Sequence, residues 1–225
     1  MTGGRRRPRR DVPKVVQIGF NRAGTRSLCR LFSRSGLPGI HQTLTLRGER
    51  VFAAKLMADN LSGGRKILSG IEHYDFFSDL EYFTDDARID GYKYFKEIER
   101  DYPDTLFILN LRDKEGWLSS RRQHNGGSYL IRAKAYLGVT KTQDVLDAWA
   151  ADWDAHIAAV RGHFAGKASL IEFDIKTDPI ERLIARLPAH GLDPAHWAHV
   201  GARGEDQVAL RAQLAAVAAR GDDNG

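Results

Sequence analysis

The chain has 225 residues, of which 42% are hydrophobic and 28% are charged, and its formal net charge is +5. This composition is typical of a globular protein with one sizeable core. No stretch approaches the roughly 18 unbroken apolar residues of a membrane-spanning helix. The single cysteine, Cys29, excludes a disulfide within the chain and is compatible with a reducing compartment. We expect Cys29 to act as a small apolar residue rather than as a reactive thiol.

A cationic block, Arg5-Arg6-Arg7-Pro8-Arg9-Arg10, stands near the N-terminus with no apolar segment behind it. It does not resemble a secretory signal, so we predict a disordered basic tail over residues 1–13 and a cytoplasmic location. Its five arginines equal the net charge, which leaves the rest of the chain near neutral. A solvated tail is the simpler interpretation, and a tail that attracts an acidic partner or nucleic acid is the alternative. We predict no stable complex with nucleic acid.

Residues 15–31 predict a strand, a tight loop and a helix. An apolar run stops at Gly19, a polar loop reaches Gly24, and apolar residues from Leu28 onward recur at helical spacing. The backbone N–H groups of a first helical turn have no partner inside the helix, and glycines let an anion approach the main chain. The loop is therefore predicted to bind a phosphate group.

The same loop can be compared with a Walker P-loop, because its two glycines have the required spacing. A Walker loop continues with lysine and then serine or threonine, whereas this chain continues with Thr25 and Arg26. Both the phosphate-binding lysine and the magnesium-binding hydroxyl are thus missing from their positions, which disfavours a kinase or ATPase. The loop instead contains Arg22, and Thr25 and Ser27 add hydroxyls, so we predict phosphate binding without a metal.

Further elements follow in chain order. We predict a short strand at Ile40 and His41, a helix over residues 51–61, and a helix over residues 92–102. Residues 74–77 carry no clear pattern. Residues 106–111 form a nearly continuous apolar run, which is typical of a central parallel strand covered on both faces. Asp113 is predicted to cap the next helix.

The second half of the chain begins with residues 124–138, which contain glycines and no clear period, and which we predict to be a mobile loop or lid. Residues 145–164 have the strongest helical pattern, and Trp149 and Trp153 are expected to belong to the core. A strand over 168–173, a helix over 179–187 and an alanine-rich helix over 208–219 complete the list. This alternation predicts a mainly parallel α/β sheet flanked by helices.

Two short motifs resemble one family. Residues 22–28, Arg-Ala-Gly-Thr-Arg-Ser-Leu, resemble the 5′-phosphosulfate loop of sulfotransferases that use 3′-phosphoadenosine 5′-phosphosulfate (PAPS), whose usual form is Lys-x-Gly-Thr-Thr/Ser. That family also has an arginine at a strand end and a serine eight positions later, which hold the 3′-phosphate. Arg112 and Ser120 match this pair, and both Arg22 and Arg112 follow strands, so the two anion sites are predicted to converge.

The resemblance implies a P-loop-like three-layer fold over residues 14–204, with a C-terminal helix and acidic tail over 205–225. It implies transfer of a sulfuryl group from PAPS, as co-substrate, to a hydroxyl or amine of a small-molecule, glycan or lipid acceptor. No metal is implied. A zinc site is not expected either, because no third ligand follows His196 and His199 at the spacing that zinc sites have. The resemblance also predicts the donor-binding residues: Asn21, Arg22, Ala23, Gly24, Thr25, Arg26, Ser27, Arg112, Ser120 and Arg203.

Within that set, Arg22 is predicted to stabilise the departing phosphate, the alternative being an ordinary surface arginine. Arg26 is expected to brace the loop or neighbouring carboxylates. For the base that takes the acceptor proton, we consider Asp79, Glu81 and His41. Asp79 is preferred because its segment resembles the place where some family members carry an acidic base. Its alternative role is a helix cap or a salt bridge.

Two other functions remain open at this stage. A nucleotide-binding kinase-like enzyme would share the fold group, but it would require a lysine where Thr25 stands. A non-catalytic protein that binds nucleotides or nucleic acid would depend on the arginine tail. The segments expected to shape an acceptor pocket, residues 41–82 and 124–138, contain no substrate signature.

Overall fold

A seven-stranded sheet forms the centre of residues 12–198, the part of the chain that this computed structural model describes. Its strands are β1 (Val15–Gln17), β2 (Gly39–His41), β3 (Thr43–Leu46), β4 (Glu49–Phe52), β5 (Phe76–Ser78), β8 (Leu106–Leu111) and β9 (Leu170–Asp174), and the hairpin between β5 and β8 consists of β6 (Glu81–Phe83) and β7 (Arg88–Asp90). The strand order is β4-β3-β2-β5-β1-β8-β9. The five strands from β2 to β9 are parallel, and β3 and β4 continue the sheet in antiparallel fashion. The mainly parallel sheet predicted from the sequence is confirmed.

Helices cover both faces of this sheet. They are α1 (Thr25–Arg34), α2 (Ala53–Ser62), α3 (Phe95–Asp101), α4 (Lys114–Arg122), α5 (Ser128–Leu137), α6 (Thr142–His163) and α7 (Ile180–Ala185). The longest is α6, where the buried residues Val145, Trp149, Trp153 and Val160 follow the period of three to four that predicted it. The two tryptophans are core residues, as expected.

The core is divided by the sheet, because consecutive strand residues point to opposite faces. Val15 and Phe76 join the cluster beneath α1 and α7, whereas Val16 and Phe77 join the cluster beneath α2, α3, α4 and α6. All four side chains are fully buried. Each contributes about 1.5–3 kcal/mol of transfer free energy. Such strands are buried on both faces, which explains their continuous apolar runs. Helices pack on each face of the sheet, so the predicted three-layer architecture is confirmed.

The predicted lid at residues 124–138 is wrong. A short 3-10 helix (His124–Gly127) leads into α5, which is anchored by Tyr129 and Ala133, buried one turn apart. Gly127 and Gly138 take left-handed conformations at the two ends of α5, which explains the glycines at this segment's boundaries. Two buried positions in ten residues are too few to produce a visible helical period.

Three other expectations need correction. Phe76 and Phe77, from the segment 74–77 that showed no clear pattern, belong to the interior strand β5, since a strand buried on both faces lacks alternation. The helix predicted over 51–61 begins at Ala53, because Val51 and Phe52 belong to β4. The β3–β4 hairpin and the β6–β7 hairpin were not predicted.

Some expectations lie outside the described residues: most of the predicted basic tail, Arg203 and the helix over 208–219. Pro13, which was assigned to that tail, is described, and its carbonyl accepts a hydrogen bond from His190 Nε2 at 2.9 Å. Within residues 12–198, the helices are all too short or too polar to cross a membrane.

Candidate active site

The loop between β1 and α1, residues 18–24, presents the N-terminus of α1 at the carboxyl edge of the sheet. Gly24 is the N-cap residue and has a φ of +82°, in the left-handed region. A Cβ placed there would lie 2.7 Å from Ile175 Cγ2, so the position requires glycine. Within the described residues, no side chain caps this helix and its first turn has no acidic residue. The positive end of the helix dipole therefore favours an anion here.

Asn110, near the end of β8, fixes this loop through hydrogen bonds to its main chain. Its Oδ1 accepts from the Gly19 N–H at 2.9 Å, and its Nδ2 donates to the carbonyls of Phe20 at 3.2 Å and Ala23 at 2.8 Å. A Cβ on Gly19 would lie 2.3 Å from Asn110 Oδ1. Because Gly19 has no Cβ, the Asn110 side chain can approach the main chain there. From the sequence, we expected an anion to make this close approach. The available signal was one asparagine inside an otherwise apolar strand.

The two predicted anion-binding motifs meet in the structure. Arg22 Nε donates to Ser120 Oγ at 3.2 Å, and Arg112 Nη1 donates to the Arg22 carbonyl at 3.1 Å. Arg22 has a φ of +64°, which is uncommon for a residue with a side chain. The Nε of Arg112 is shielded from solvent and has no hydrogen-bond partner among the described residues; Asp113 Oδ1 is 3.7 Å away. An arginine donor so placed is suited to an incoming acceptor group.

Glu81, one of the three candidate bases, faces the interior. Its carboxylate pairs with Arg121 Nη2 at 2.8 Å and accepts from Asn21 Nδ2 at 2.6 Å, and Tyr129 Oη lies 2.8 Å from both of its oxygens. Glu81 is 3% exposed and Arg121 is 1% exposed. Trp117 Nε1 donates to the Asn21 carbonyl at 2.9 Å. Hydrogen bonds therefore fix both the side chain and the main chain of Asn21. Glu81 is buried and bonded to the β1–α1 loop, so it is not exposed to an acceptor.

Asp79 and His41, the other two candidate bases, lie together. Asp79 directly follows β5 and His41 ends β2, and these strands are neighbours in the sheet. The His41 Nε2 atom is 3.5 Å from Asp79 Oδ2 and 3.2 Å from the hydroxyl of Thr25, at the start of α1. Asp79 Oδ1 is shielded and has no hydrogen-bond partner within residues 12–198. Both candidates therefore stand beside the β1–α1 loop.

Their surroundings move the two pKa values in opposite directions. Burial, reinforced by the charge of Glu81, raises the pKa of Asp79 to about 7. Burial, reinforced by the charge of Arg26, lowers the pKa of His41 to about 4. At neutral pH, His41 is therefore an uncharged imidazole and Asp79 exchanges readily between its two protonation states. A carboxylate with this pKa is well matched to proton transfer near neutral pH.

The model of the sulfotransferase domain family matches residues 14–169. That match covers well over half of the 225 residues and includes the β1–α1 loop, β5, β8 and α4. The chain belongs to the sulfotransferase domain family. No curated protein matches the sequence. The family match contains every predicted site residue other than Arg203.

In this sulfotransferase domain, the predicted residues do not all face the loop edge. Arg26 is exposed, whereas Ala23 and Ser27 are buried, and the Ala23 carbonyl accepts a hydrogen bond from Asn110. Residues 12–198 contain no cluster of three or more His, Cys, Asp or Glu side chains that could hold a metal ion. The residues that sequence reasoning missed are the ones that hold the loop: Asn110, Trp117, Arg121 and Tyr129.

Proposed function

We propose that this sulfotransferase domain transfers the sulfuryl group of PAPS to a hydroxyl or amine of a small-molecule, glycan or lipid acceptor, without a metal. The observation that supports this most directly is the contact between the two anion motifs: Arg22 bonds to Ser120, and Arg112 bonds to the Arg22 carbonyl. A donor with phosphate at both its 5′ and 3′ positions would match two adjoining cationic positions.

The residues of the site fit that donor. The uncapped first turn of α1 and Arg22 would hold the 5′-phosphosulfate, while Arg112, with its shielded and unpartnered Nε, and Ser120 would hold the 3′-phosphate. A kinase is less well supported, because Thr25 occupies the position of the Walker lysine and its hydroxyl contacts His41.

Sulfuryl transfer forms a bond from the acceptor oxygen or nitrogen to sulfur and breaks the bond between sulfur and the 5′-phosphate oxygen. In our assignment, the Asp79 carboxylate takes the acceptor proton, and Oδ1 can carry it because this atom has no hydrogen-bond partner within residues 12–198. Negative charge collects on the departing phosphate, where Arg22 and the α1 N-terminus stabilise it. His41, neutral at this pH, is assigned to position Thr25, whose hydroxyl is 3.2 Å from its Nε2 atom, and the Asp79 carboxylate lies beside it, with Oδ2 3.5 Å from the same atom.

Glu81 is assigned a positioning role instead of a catalytic one. Its carboxylate is engaged by Asn21, Arg121 and Tyr129, so that it fixes the β1–α1 loop. Removing one partner of such a buried ion pair costs about 3–5 kcal/mol, because the remaining charge is left uncompensated. Glu81 also contributes to the raised pKa of Asp79 through its charge.

The product nucleotide 3′-phosphoadenosine 5′-phosphate should stabilise the protein without any added metal. A ligand that binds only the folded state adds about 2.7 kcal/mol at a hundredfold excess over its Kd. Thermal unfolding in the presence of a chelator would measure this, with ATP and magnesium as the comparison. A protein that responds to ATP with magnesium and ignores the bisphosphate would be a kinase-like enzyme, and the proposal would fail.

Asn110→Ala should lower the free energy of unfolding by about 2–4 kcal/mol, because it removes three buried hydrogen bonds and leaves their partners unsatisfied. It should also weaken binding of the nucleotide at least tenfold. Asn60→Ala is the matched control, since buried Asn60 bonds to the carbonyls of Ile67 and Ser69, away from the β1–α1 loop.

Urea denaturation and calorimetric titration would compare the two variants. Both should be destabilised, but Asn60→Ala should bind the nucleotide like the wild type. Equal affinity losses in the two variants would mean that general destabilisation, rather than the loop, accounts for the effect.

A further inference from the structure

A groove of about 260 Å³ runs beside α1 and is not used by the donor in the proposed function. It is lined by Arg26, Cys29, Arg30, Ser33 and His41. Arg26 and Arg30 are four residues apart on α1, as are Cys29 and Ser33, so these two pairs present one helix face to the groove. The fifth lining residue, His41, is the last residue of β2.

The charges that line this groove have one sign. Two guanidinium groups contribute to it, and none of its five lining residues is acidic. The Nε atom of Arg30 is shielded from solvent and has no hydrogen-bond partner within residues 12–198. A shielded donor on a charged group is costly unless an acceptor group bonds to it. The positive charge of Arg26 also helps to lower the pKa of His41, which lines the same groove.

The groove is next to the proposed reaction centre. His41 forms part of the groove wall, and its Nε2 atom is 3.5 Å from Asp79 Oδ2. The two lining arginines, Arg26 and Arg30, are about 6 Å apart along the axis of α1. A substrate hydroxyl at Asp79 would therefore have two arginines within the length of a small molecule.

We propose that the groove binds an anionic group of the acceptor, so that the acceptors of this sulfotransferase domain are hydroxy or amino compounds that also carry a carboxylate, sulfate or phosphate. The anion would lie between Arg26 and Arg30, with the accepting hydroxyl or amine at Asp79. A volume of about 260 Å³ admits one small acidic group or ring at a time. This inference rests on the proposed function for the position of the reacting group, but anion binding in the groove can be measured independently.

Cys29 provides a direct readout, because it lines the groove and is the single cysteine of the sequence. Iodoacetamide, which is uncharged, would alkylate its thiol with loss of iodide, and mass spectrometry would give the rate. Burial raises the pKa of this thiol, so the reaction should be run at mildly alkaline pH. An occupant of the groove should slow it.

The probes are two matched pairs, 3-hydroxybenzoate with 3-hydroxybenzyl alcohol and galacturonate with galactose, together with inorganic sulfate. Ionic strength is held constant with sodium chloride because salt screens charges. In each pair, the concentration of the acid that protects Cys29 from alkylation should be at least tenfold lower than that of the uncharged compound. This should hold with and without saturating 3′-phosphoadenosine 5′-phosphate.

Arg30→Gln should remove this preference for acids. Arg34→Gln, one turn further along α1 and outside the groove, is the matched control and should retain it. Equal protection by the acid and the uncharged compound, or an undiminished preference in Arg30→Gln, would overturn the proposal. Protection by sulfate without protection by either hydroxy acid would also overturn it and indicate a site for a free anion.

The failure of the proposed function has a different signature. It would appear as an absent response to 3′-phosphoadenosine 5′-phosphate, whereas the alkylation rates without nucleotide would still report on the groove.

Discussion

Asp79→Asn should lower the rate of sulfuryl transfer roughly 100- to 10,000-fold, which is the usual contribution of a positioned general base. Affinity for 3′-phosphoadenosine 5′-phosphate should stay within about twofold of the wild type, since Asp79 is assigned to the acceptor. The substitution suits the backbone: Asp79 has a φ of +53°, and asparagine is among the residues that adopt this conformation most readily.

Asp178→Asn is the matched control for this variant. The side chain of Asp178 is 17% exposed, compared with 13% for Asp79, and it binds Arg182 on α7; it follows β9, which is three strands from β5 in the sheet. Release of the nucleotide product from PAPS in the presence of an acceptor would measure both rates. If Asp79→Asn retained more than a tenth of the wild-type rate, the assignment of the base would be wrong.

The pH dependence of the wild-type rate follows from the same carboxyl group. Its pKa is raised to about 7, and it accepts a proton only when ionised. The rate should therefore increase with pH through about 7 and level off above it. Asp79→Asn should lose this rise, whereas Asp178→Asn should keep it.

Stability should change in the opposite direction to activity. A carboxyl group with a raised pKa in the folded state stabilises the fold at low pH, and that contribution is lost as the pH rises through about 7. Asp79→Asn, which cannot ionise, should therefore unfold with a higher free energy than the wild type at pH 8.5, by about 1–4 kcal/mol. The difference should shrink towards pH 4. Urea denaturation at both pH values would test this.

Arg112→Ala should weaken binding of the 3′-phosphorylated donor by about 1.5–3 kcal/mol, the usual size of a hydrogen bond to a charged group. Ser120→Ala should cost about 1 kcal/mol, because it removes a neutral hydroxyl. Both losses should be much smaller for adenosine 5′-phosphosulfate, which lacks the 3′-phosphate. Calorimetric titration of both ligands would measure the difference.

The structure modifies this expectation for Arg112 in one respect. Arg112 also bonds to the Arg22 carbonyl at 3.1 Å, so its removal should loosen the β1–α1 loop and produce a small loss shared by both ligands. Ser119→Ala, at the neighbouring position of α4, is the control and should leave both affinities unchanged. Losses of equal size for the two ligands would mean that Arg112 and Ser120 only support the loop.

The part of the site that could be predicted from the sequence is encoded by short spacings. Gly19, Arg22 and Gly24 lie within six residues of the chain, and Arg112 and Ser120 are eight positions apart. Local geometry is then enough for the prediction, because the free N–H groups at the start of a helix favour an anion whatever the rest of the fold. The apolar runs also predicted β1, β8 and α6, since burial on both faces or on one helix face leaves a strong pattern.

The contacts that hold the loop could not be predicted in this way. Gly19 and Asn110 are 91 residues apart, and Asn21 and Glu81 are 60 apart. These partners meet because β1 is paired with β8 and the chain after β5 reaches the same edge. A polar residue in an apolar run indicates that a partner exists, but it does not identify that partner.

The sequence was enough to identify the fold class and to predict an anion-binding loop and three candidate bases. Only the tertiary structure separated those candidates. Asp79 and Glu81 are two residues apart, but the left-handed conformation of Asp79 turns the chain between β5 and β6. Glu81 consequently lies in the interior against Arg121, whereas Asp79 lies beside His41, a residue placed there by the pairing of β2 with β5. The burial and the charges that each carboxylate meets, and with them its proton affinity, arise from this packing.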